Sequence, residues 1–235
     1  METTRRALIY ANGEVKDLWA ASRIVRSGDF VIAADGGLHL CEEMKLAPDL
    51  LIGDLDSVSA EDVDRMMSAG VAVKRFPAEK NETDLELALS AAVDAGYDVI
   101  RVIGALGGRL DQTLGNLFLL MLPELKNCDV RFDDGLEEVL LLNSEAAQPS
   151  DADTASNQGK TSIRIQGRTG DVISLLPLNG AVTGIRTEGL YYPLNEETLY
   201  PEHTRGISNV MRADTATISI ENGTLLCIHS RQSSV

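Results

Sequence analysis

From Ala7 to Leu125 the chain alternates short apolar runs with helical patterns, and this alternation limits the possible folds more than any other feature. Ala7–Ala11, Phe30–Ala34, Leu50–Ile52, Val71–Phe76 and Asp98–Ile103 each read as a strand. Between them lie helical patterns at Leu18–Val25, at a short segment reaching Met44, at Ala60–Ala69 and at Asp84–Ala95. In the last of these, Leu85, Ala88, Leu89 and Ala92 recur at helical spacing. A further helix follows Gly107-Gly108, where Leu110, Leu114, Leu117, Phe118, Met121 and Leu125 form one stripe. Near-continuous apolar strands joined by helices require a parallel sheet covered on both faces. Ligands of such sheets bind beyond the carboxyl ends of the strands.

The pattern then changes. Residues 144–160 (SEAAQPSDADTASNQGK) are small, polar and aperiodic, and read as a linker or mobile loop. From Thr161 onward come short alternating runs at Ser162–Ile165, Asp171–Leu176, Thr215–Ile220 and Leu225–Ile228. Gly167, Gly170, Asn179-Gly180, Gly184 and Asn222-Gly223 punctuate them as turns, which predicts a small antiparallel sandwich or barrel. The expected architecture is an α/β domain over 1–143 with a mostly parallel Rossmann-like sheet, a linker over 144–160, and an all-β domain over 161–235.

Composition narrows the partners. The formal net charge of -15 argues against nucleic acid and against an anionic membrane surface, since both require basic surface. A phosphate-bearing substrate must therefore enter through a local basic patch or as a metal complex, whereas an organic cation is favoured by the overall field. Cys41, Cys128 and Cys227 are widely spaced and contain no CxxC, which suits reduced thiols rather than a disulfide framework or a zinc site. The apolar stretch after Arg5-Arg6 is too short for a signal peptide, and no run approaches a membrane span. A soluble, cytoplasmic protein is expected.

Several polar segments fall where a strand gives way to a loop or helix. In GDLDS, Asp54 and Asp56 are two apart, so on an extended chain both carboxylates face one side. At about 6 Å two such charges repel by roughly 3 kcal/mol at an effective dielectric near 20, so they hold a cation or face water. A surface turn with Asp54 as a local cap explains the pair equally well. Lys80-Asn81-Glu82-Thr83-Asp84-Leu85-Glu86 contains a capping box of Thr83 and Glu86, with Asp84 in the first helical turn, and helix initiation accounts for most of it. Gly107-Gly108 exposes backbone N–H groups before a helix, and Arg109 can grip phosphate bidentately; a tight turn is the simpler reading. Asp35-Gly36-Gly37 is a similar strand-to-helix turn. Their joint occurrence at one sheet edge is harder to dismiss. Carboxylates for Mg²⁺, with Lys80, Arg109 and Arg75 for phosphates, suggest phosphoryl-type transfer from a nucleotide. GxxxxGK[ST] and GxSxG are both absent, and His39, His203 and His229 lack metal-ligand spacing.

These segments, DGG at Asp35, GDLDS at Gly53, KNETDLE at Lys80 and GALGGRLD at Gly104, together resemble the motif series of the thiamine pyrophosphokinase family. SLLPLNGAVTGIRTEGLYYPL (Ser174–Leu194) and GISN (Gly206–Asn209) resemble its thiamine-binding β domain, so the resemblance spans nearly the whole chain. It implies Mg²⁺-dependent transfer of a pyrophosphoryl group from ATP to the hydroxyethyl group of thiamine, giving thiamine diphosphate and AMP. It also implies a homodimer with the site shared between subunits. By the same resemblance Asp54, Asp56 and Asp84 are metal-binding and catalytic acids, and Asp111 accepts or orients the alcohol proton. Asp35, Gly36, Lys80, Thr83, Gly107, Gly108 and Arg109 match ATP- and phosphate-binding positions, and Ser208 and Asn209 match thiamine-binding ones. Asn81 and Gln112 depart from the family pattern, which commonly has Asp and His there. A metal-dependent phosphohydrolase and a non-catalytic ligand sensor remain as rivals.

Overall fold

The computed structural model describes residues 5–144 and 161–232. Apart from Ser144, the expected linker over 144–160 lies outside the described residues. The chain divides into two compact units, Met1–Gly135 and Leu136–Val235.

The first unit runs β1 (Arg6–Tyr10), α1 (Leu18–Ser22), β2 (Phe30–Ala34), α2 (Gly37–Glu43), β3 (Leu50–Gly53), α3 (Ala60–Ser68), β4 (Ala72–Arg75), α4 (Asp84–Asp94), β5 (Val99–Ile103), α5 (Leu110–Leu119) and β6 (Asp129–Asp133). All its strand pairs are parallel, in the order β4-β3-β2-β1-β5-β6. The order runs backwards from β4 to β1 and forwards from β5 to β6. That reversal between β1 and β5 is the topological switch point at which doubly wound sheets bind ligands. The central strands are apolar on both faces: Leu8, Ile9, Ile32, Leu51, Ile52, Ile100 and Ile103 have no exposure, as a covered parallel sheet requires.

Local chemistry sets the helix starts. Ser59 Oγ accepts from Asp62 N at 3.1 Å, and Thr83 Oγ1 accepts from Glu86 N at 3.2 Å, each satisfying one orphan donor of a first turn. The apolar stripe of α5 behaves differently. No residue of that helix is buried, and Leu110, Leu114 and Phe118 are 72%, 47% and 54% exposed.

The second unit is all-β: β7 (Glu137–Ser144), β8 (Ser162–Gln166), β9 (Val172–Glu188), β10 (Asn195–Leu199), β11 (Asn209–Val210), β12 (Thr215–Ser219) and β13 (Asn222–Ser230). The strand β7 pairs antiparallel with β13 from Glu137 to Ser144. The unit boundary therefore falls earlier than the expected 143. The turn residues Asn179, Gly180 and Gly184 lie inside one long strand: they adopt positive φ and bend β9 without ending it. Its first half pairs with β11 and β13, and its second half with β10 and β12. Because β9 serves both sheets, residues from each meet in one core that includes Leu140, Leu142, Ile165, Ile173, Val182, Ile185, Ile218 and Cys227.

One polar cluster sits inside this unit. His229 has no exposure; its Nε2 lies 2.9 Å from Asp171 Oδ2 and its Nδ1 3.3 Å from Glu138 Oε2. Asp171 also accepts from Arg168 N at 2.9 Å and Gln232 N at 3.0 Å, so it ties the β8–β9 turn to the end of β13. Burial raises the Asp171 carboxyl, but these hydrogen bonds outweigh it and hold the group below its usual range.

No helix among the described residues is long and apolar enough to cross a membrane.

Candidate active site

The loops after β1, β2, β3 and β5 and the loop into α4 converge on a cleft of about 780 Å³ in the first unit. Its position at the β1/β5 reversal follows from the strand order, and its size suits a nucleotide-sized ligand.

Three carboxylates form the floor. Asp35, Asp54 and Asp84 each offer an oxygen, and these oxygens all lie within 4.8 Å of one another. Asp35 follows β2 with φ of 46°, a conformation that Asp tolerates better than most residues, and its N–H donates to Ile52 O at 2.8 Å. Asp54 follows β3, and its N–H donates to Asp84 Oδ1 at 3.2 Å. Asp84 opens α4. Gly53 lets the three approach: its φ is 146°, and a Cβ there would stand 2.8 Å from Asp84 Oδ1 and 3.1 Å from Asp35 Cβ. Gly53→Ala is therefore expected to cost about 1–3 kcal/mol of stability and to spread the carboxylates. Thermal melting together with Mg²⁺ titration checks both effects; an unchanged Tm and an unchanged Mg²⁺ affinity count against this account.

Asp56 stands elsewhere. Extension ends at Gly53, and Leu55 turns with φ of 63° to bury its side chain, which is 4% exposed. Side-chain alternation therefore lapses between Asp54 and Asp56. Asp56 N donates to Asp54 Oδ1 at 3.2 Å, and its own carboxylate lies on the exposed lining of the cleft. Asp35, not Asp56, joins Asp54 and Asp84 within ligand distance.

Lys80 bridges two of the three acids, with Nζ 2.8 Å from Asp54 Oδ2 and 3.1 Å from Asp84 Oδ1. The lysine hydrogen bond holds the Asp54 carboxyl below its usual range. Asp84 goes the other way, since burial raises it more than Lys80 lowers it. Burial also depresses the Lys80 ammonium, but its two carboxylate partners together raise it.

On the opposite wall Gly107, Gly108 and Arg109 line the cleft before α5. Gly107 has φ of 92°, and a Cβ there would meet Glu14 O at 3.0 Å, so only glycine brings this loop so close to the β1 loop. Arg109 forms a two-pronged pair with Asp111, Nε to Oδ1 at 3.1 Å and Nη2 to Oδ2 at 2.6 Å. This hydrogen-bonded pairing holds Asp111 below the usual carboxylate range. Asp111 does not line the cleft, whereas Gln112 does. Arg75 is exposed on β4 and is not part of the lining. Thr83 lines the cleft while its hydroxyl caps α4.

Asn12, Gly13, Glu14, Glu82 and Asn116 also line the cleft and were not singled out in the sequence. As a sequence, Asn12-Gly13 is a turn pair that closes the first strand. Its place in the cleft depends on β1 lying beside β5, which no local pattern reports. The absent side chain of Gly36 matters here, because a Cβ would fall 2.4 Å from Asn12 Nδ2.

In the second unit Asn209 is buried and grips the loop at Tyr192, accepting from Tyr192 N at 3.0 Å and donating to Tyr192 O at 2.7 Å. Ser208 is exposed with φ of 61°, and its N–H donates to Ser174 Oγ at 3.0 Å. Around them stand exposed Tyr191, Tyr192 and Ile207, with the Arg212 guanidinium 5.7 Å from the Tyr191 ring centroid.

A doubly wound α/β unit with a carboxylate-floored cleft at its switch point, followed by a β-sandwich, has the general form of a phosphate-handling enzyme with a separate binding module. The comparisons specify it further. The profile for "Thiamin pyrophosphokinase, catalytic domain" matches residues 21–132, and that for "Thiamin pyrophosphokinase, vitamin B1 binding domain" matches residues 160–225. A thiamine pyrophosphokinase of Bacillus subtilis is 29% identical over 199 residues, covering 85% of this chain and 86% of that protein. The thiamin pyrophosphokinase structure from Geobacillus thermodenitrificans superposes with a TM-score of 0.77 at 26% identity, covering 97% of this chain and 99% of that one. The Bacillus subtilis structure gives a TM-score of 0.80 at 24% identity, over 97% and 100% of the two chains, and so attests the shared fold. The chain belongs to the thiamine pyrophosphokinase family, and so to the thiamine diphosphokinases among enzymes.

Proposed function

We propose that this protein transfers a pyrophosphoryl group from ATP to the hydroxyethyl oxygen of thiamine, giving thiamine diphosphate and AMP, with Mg²⁺ held at the carboxylate floor. The observation that carries the reading is the approach of Asp35, Asp54 and Asp84 to within 4.8 Å at the switch-point cleft. Octahedral Mg²⁺ binds oxygens at about 2.1 Å, so its ligands stand roughly 3–4 Å apart, which this spacing accommodates. When bound, Mg²⁺ supplies neutralisation of the polyphosphate and makes phosphorus more electrophilic.

The chain's own groups account for the remainder. The thiamine hydroxyl oxygen forms a bond to the β phosphorus and loses its proton to water or a phosphate oxygen, while the bond from that phosphorus to the α–β bridging oxygen breaks, releasing AMP. Lys80, Arg109 and the Gly107 and Gly108 N–H groups provide cationic and dipolar partners for phosphate oxygens. Asp111 stands outside the cleft lining and pairs with Arg109, so it acts by holding that guanidinium rather than by taking the hydroxyl proton. Thiamine's cationic ring suits an acidic protein, and the Tyr191–Tyr192 loop braced by Asn209 offers aromatic faces for a cation.

A homodimer with a shared site is part of this reading. The unburied apolar face of α5 and the exposed Tyr191, Tyr192, Tyr200, Ile207 and Val210 support it, since monomers seldom leave so many large apolar groups in water. A cytoplasmic location belongs to the same reading, supported by three widely spaced cysteines without a CxxC pair.

The test is incubation with ATP, Mg²⁺ and thiamine. Equal amounts of AMP and thiamine diphosphate are expected, and none after chelation of the metal. AMP or ADP without thiamine diphosphate makes the protein a hydrolase instead. Light scattering at assay concentration is expected to return twice the chain mass; an active monomer rules out the shared site.

A further inference from the structure

We propose that Lys80 is a resident counter-ion, closing the acidic floor to a free divalent cation and yielding it only to a metal–nucleotide complex. The inference rests on the function proposed above, because it concerns the same carboxylates. Lys80 Nζ sits on Asp54 Oδ2 and Asp84 Oδ1, at 2.8 and 3.1 Å, and those two side chains belong to the three that a cation needs. The lysine side chain is 10% exposed, and its ammonium has both acids as partners. A divalent cation that takes these oxygens competes with the ammonium for them, like charges repelling at that range. Either one displaces the other.

The difference in rigidity decides which group moves. Asp84 is fixed at the start of α4 and Asp54 at the end of β3, with Asp54 N donating to Asp84 Oδ1 at 3.2 Å. Lys80 lies on the loop between β4 and α4, at the end of a flexible four-carbon stem. A free metal ion would leave the displaced ammonium without its two carboxylate partners, which is unfavourable. A polyphosphate arriving with the metal offers that ammonium new oxygens within the same cleft, whose lining includes Lys80, Gly107, Gly108 and Arg109. Metal and nucleotide therefore bind with positive coupling, and by linkage each strengthens the other equally.

The experiment measures Mn²⁺ binding by electron paramagnetic resonance to the wild type, Lys80→Met, Lys80→Gln and Lys80→Arg, without nucleotide. Circular dichroism confirms the fold of each variant. Lys80→Met and Lys80→Gln are each expected to bind Mn²⁺ alone at least tenfold more tightly than the wild type, and to bind an unreactive ATP analogue more weakly. Lys80→Arg, which keeps the cation, is expected to stay within threefold of the wild type for Mn²⁺. Equal or weaker Mn²⁺ binding in whichever neutral variant is folded overturns the proposal. Thiamine diphosphate formation by the wild type is followed alongside. Its absence removes the proposed function itself; its presence without the gain in Mn²⁺ affinity removes only the role of Lys80.

Discussion

Asp54→Asn is expected to lower turnover about a thousandfold while leaving the fold intact. Asparagine keeps the size of the side chain and can still accept from Asp56 N, as Asp54 Oδ1 does at 3.2 Å, but it carries no charge for a cation. It also releases Lys80, whose contact with Asp54 Oδ2 at 2.8 Å is its shorter carboxylate partner. Losses of roughly a hundred- to a thousandfold are usual when one electrostatic contact to a reacting centre is removed, and here a proposed metal ligand goes as well. The residue lies past the end of β3 and outside the apolar core, so Tm is expected to change little. Initial rates at saturating ATP, Mg²⁺ and thiamine provide the measurement; a rate within threefold of wild type rules out the assigned role. The parallel pair Asp35→Asn and Asp56→Asn distinguishes the two candidates for the third ligand. A loss at Asp35 comparable to that at Asp54, with only about a tenfold loss at Asp56, is the result the geometry predicts.

Asp171→Ala is expected to destabilise the protein by about 3 kcal/mol without touching the cleft. The substitution removes an acceptor from His229 Nε2, which is fully buried, and from the backbone N–H groups of Arg168 and Gln232. His229 has no exposure and Asp171 only 2%, so water cannot replace the carboxylate. Removing one member of a buried pair typically costs about 3–5 kcal/mol. Because the Asp171 carboxyl is held below its usual range when folded, its contribution is full above the unfolded value near ~4 and drains as pH falls below it. Denaturant unfolding at several pH values therefore shows the wild type losing stability below about pH 4 more steeply than Asp171→Ala. Parallel curves for the two proteins are the contrary result.

Much of the fold is legible from local pattern because each element carries its own signal. Apolar runs such as Phe30–Ala34 and the 3.6-residue spacing of Leu85, Ala88, Leu89 and Ala92 survive in the structure because burial demands them. The edges of β9 were not legible. Asn179-Gly180 and Gly184 are turn residues by composition, yet hydrogen bonding on both sides carries the strand through them. The strand β7 is set by distant partners for a related reason. Its identity rests on pairing with β13, about eighty residues further along the chain, and long-range pairing leaves no local period.

The candidate site divides the same way. Strand-end acids and glycines could be found in the sequence because parallel sheets place ligands at that edge, and DGG, GDLDS, KNETDLE and GGRLD all lie there. The exchange of Asp56 for Asp35 could not, since it follows from the turn at Leu55 that breaks side-chain alternation. Nor could the pairing of Arg109 with Asp111, or the placing of Asn12 and Glu14 across from Gly107.

By itself the amino-acid sequence determined that a parallel α/β unit precedes an antiparallel β unit, and that acids, a lysine and glycines gather at the strand ends. Those are consequences of periodicity and of residue chemistry, which act over a few residues. Tertiary structure alone decided which three carboxylates meet, that Lys80 lies upon two of them, and that His229 is held between Asp171 and Glu138. Apart from Lys80 and Asp84, which are four positions apart, those contacts join residues some twenty to ninety positions apart, and only the completed packing of strand order and turns brings them within a few ångströms.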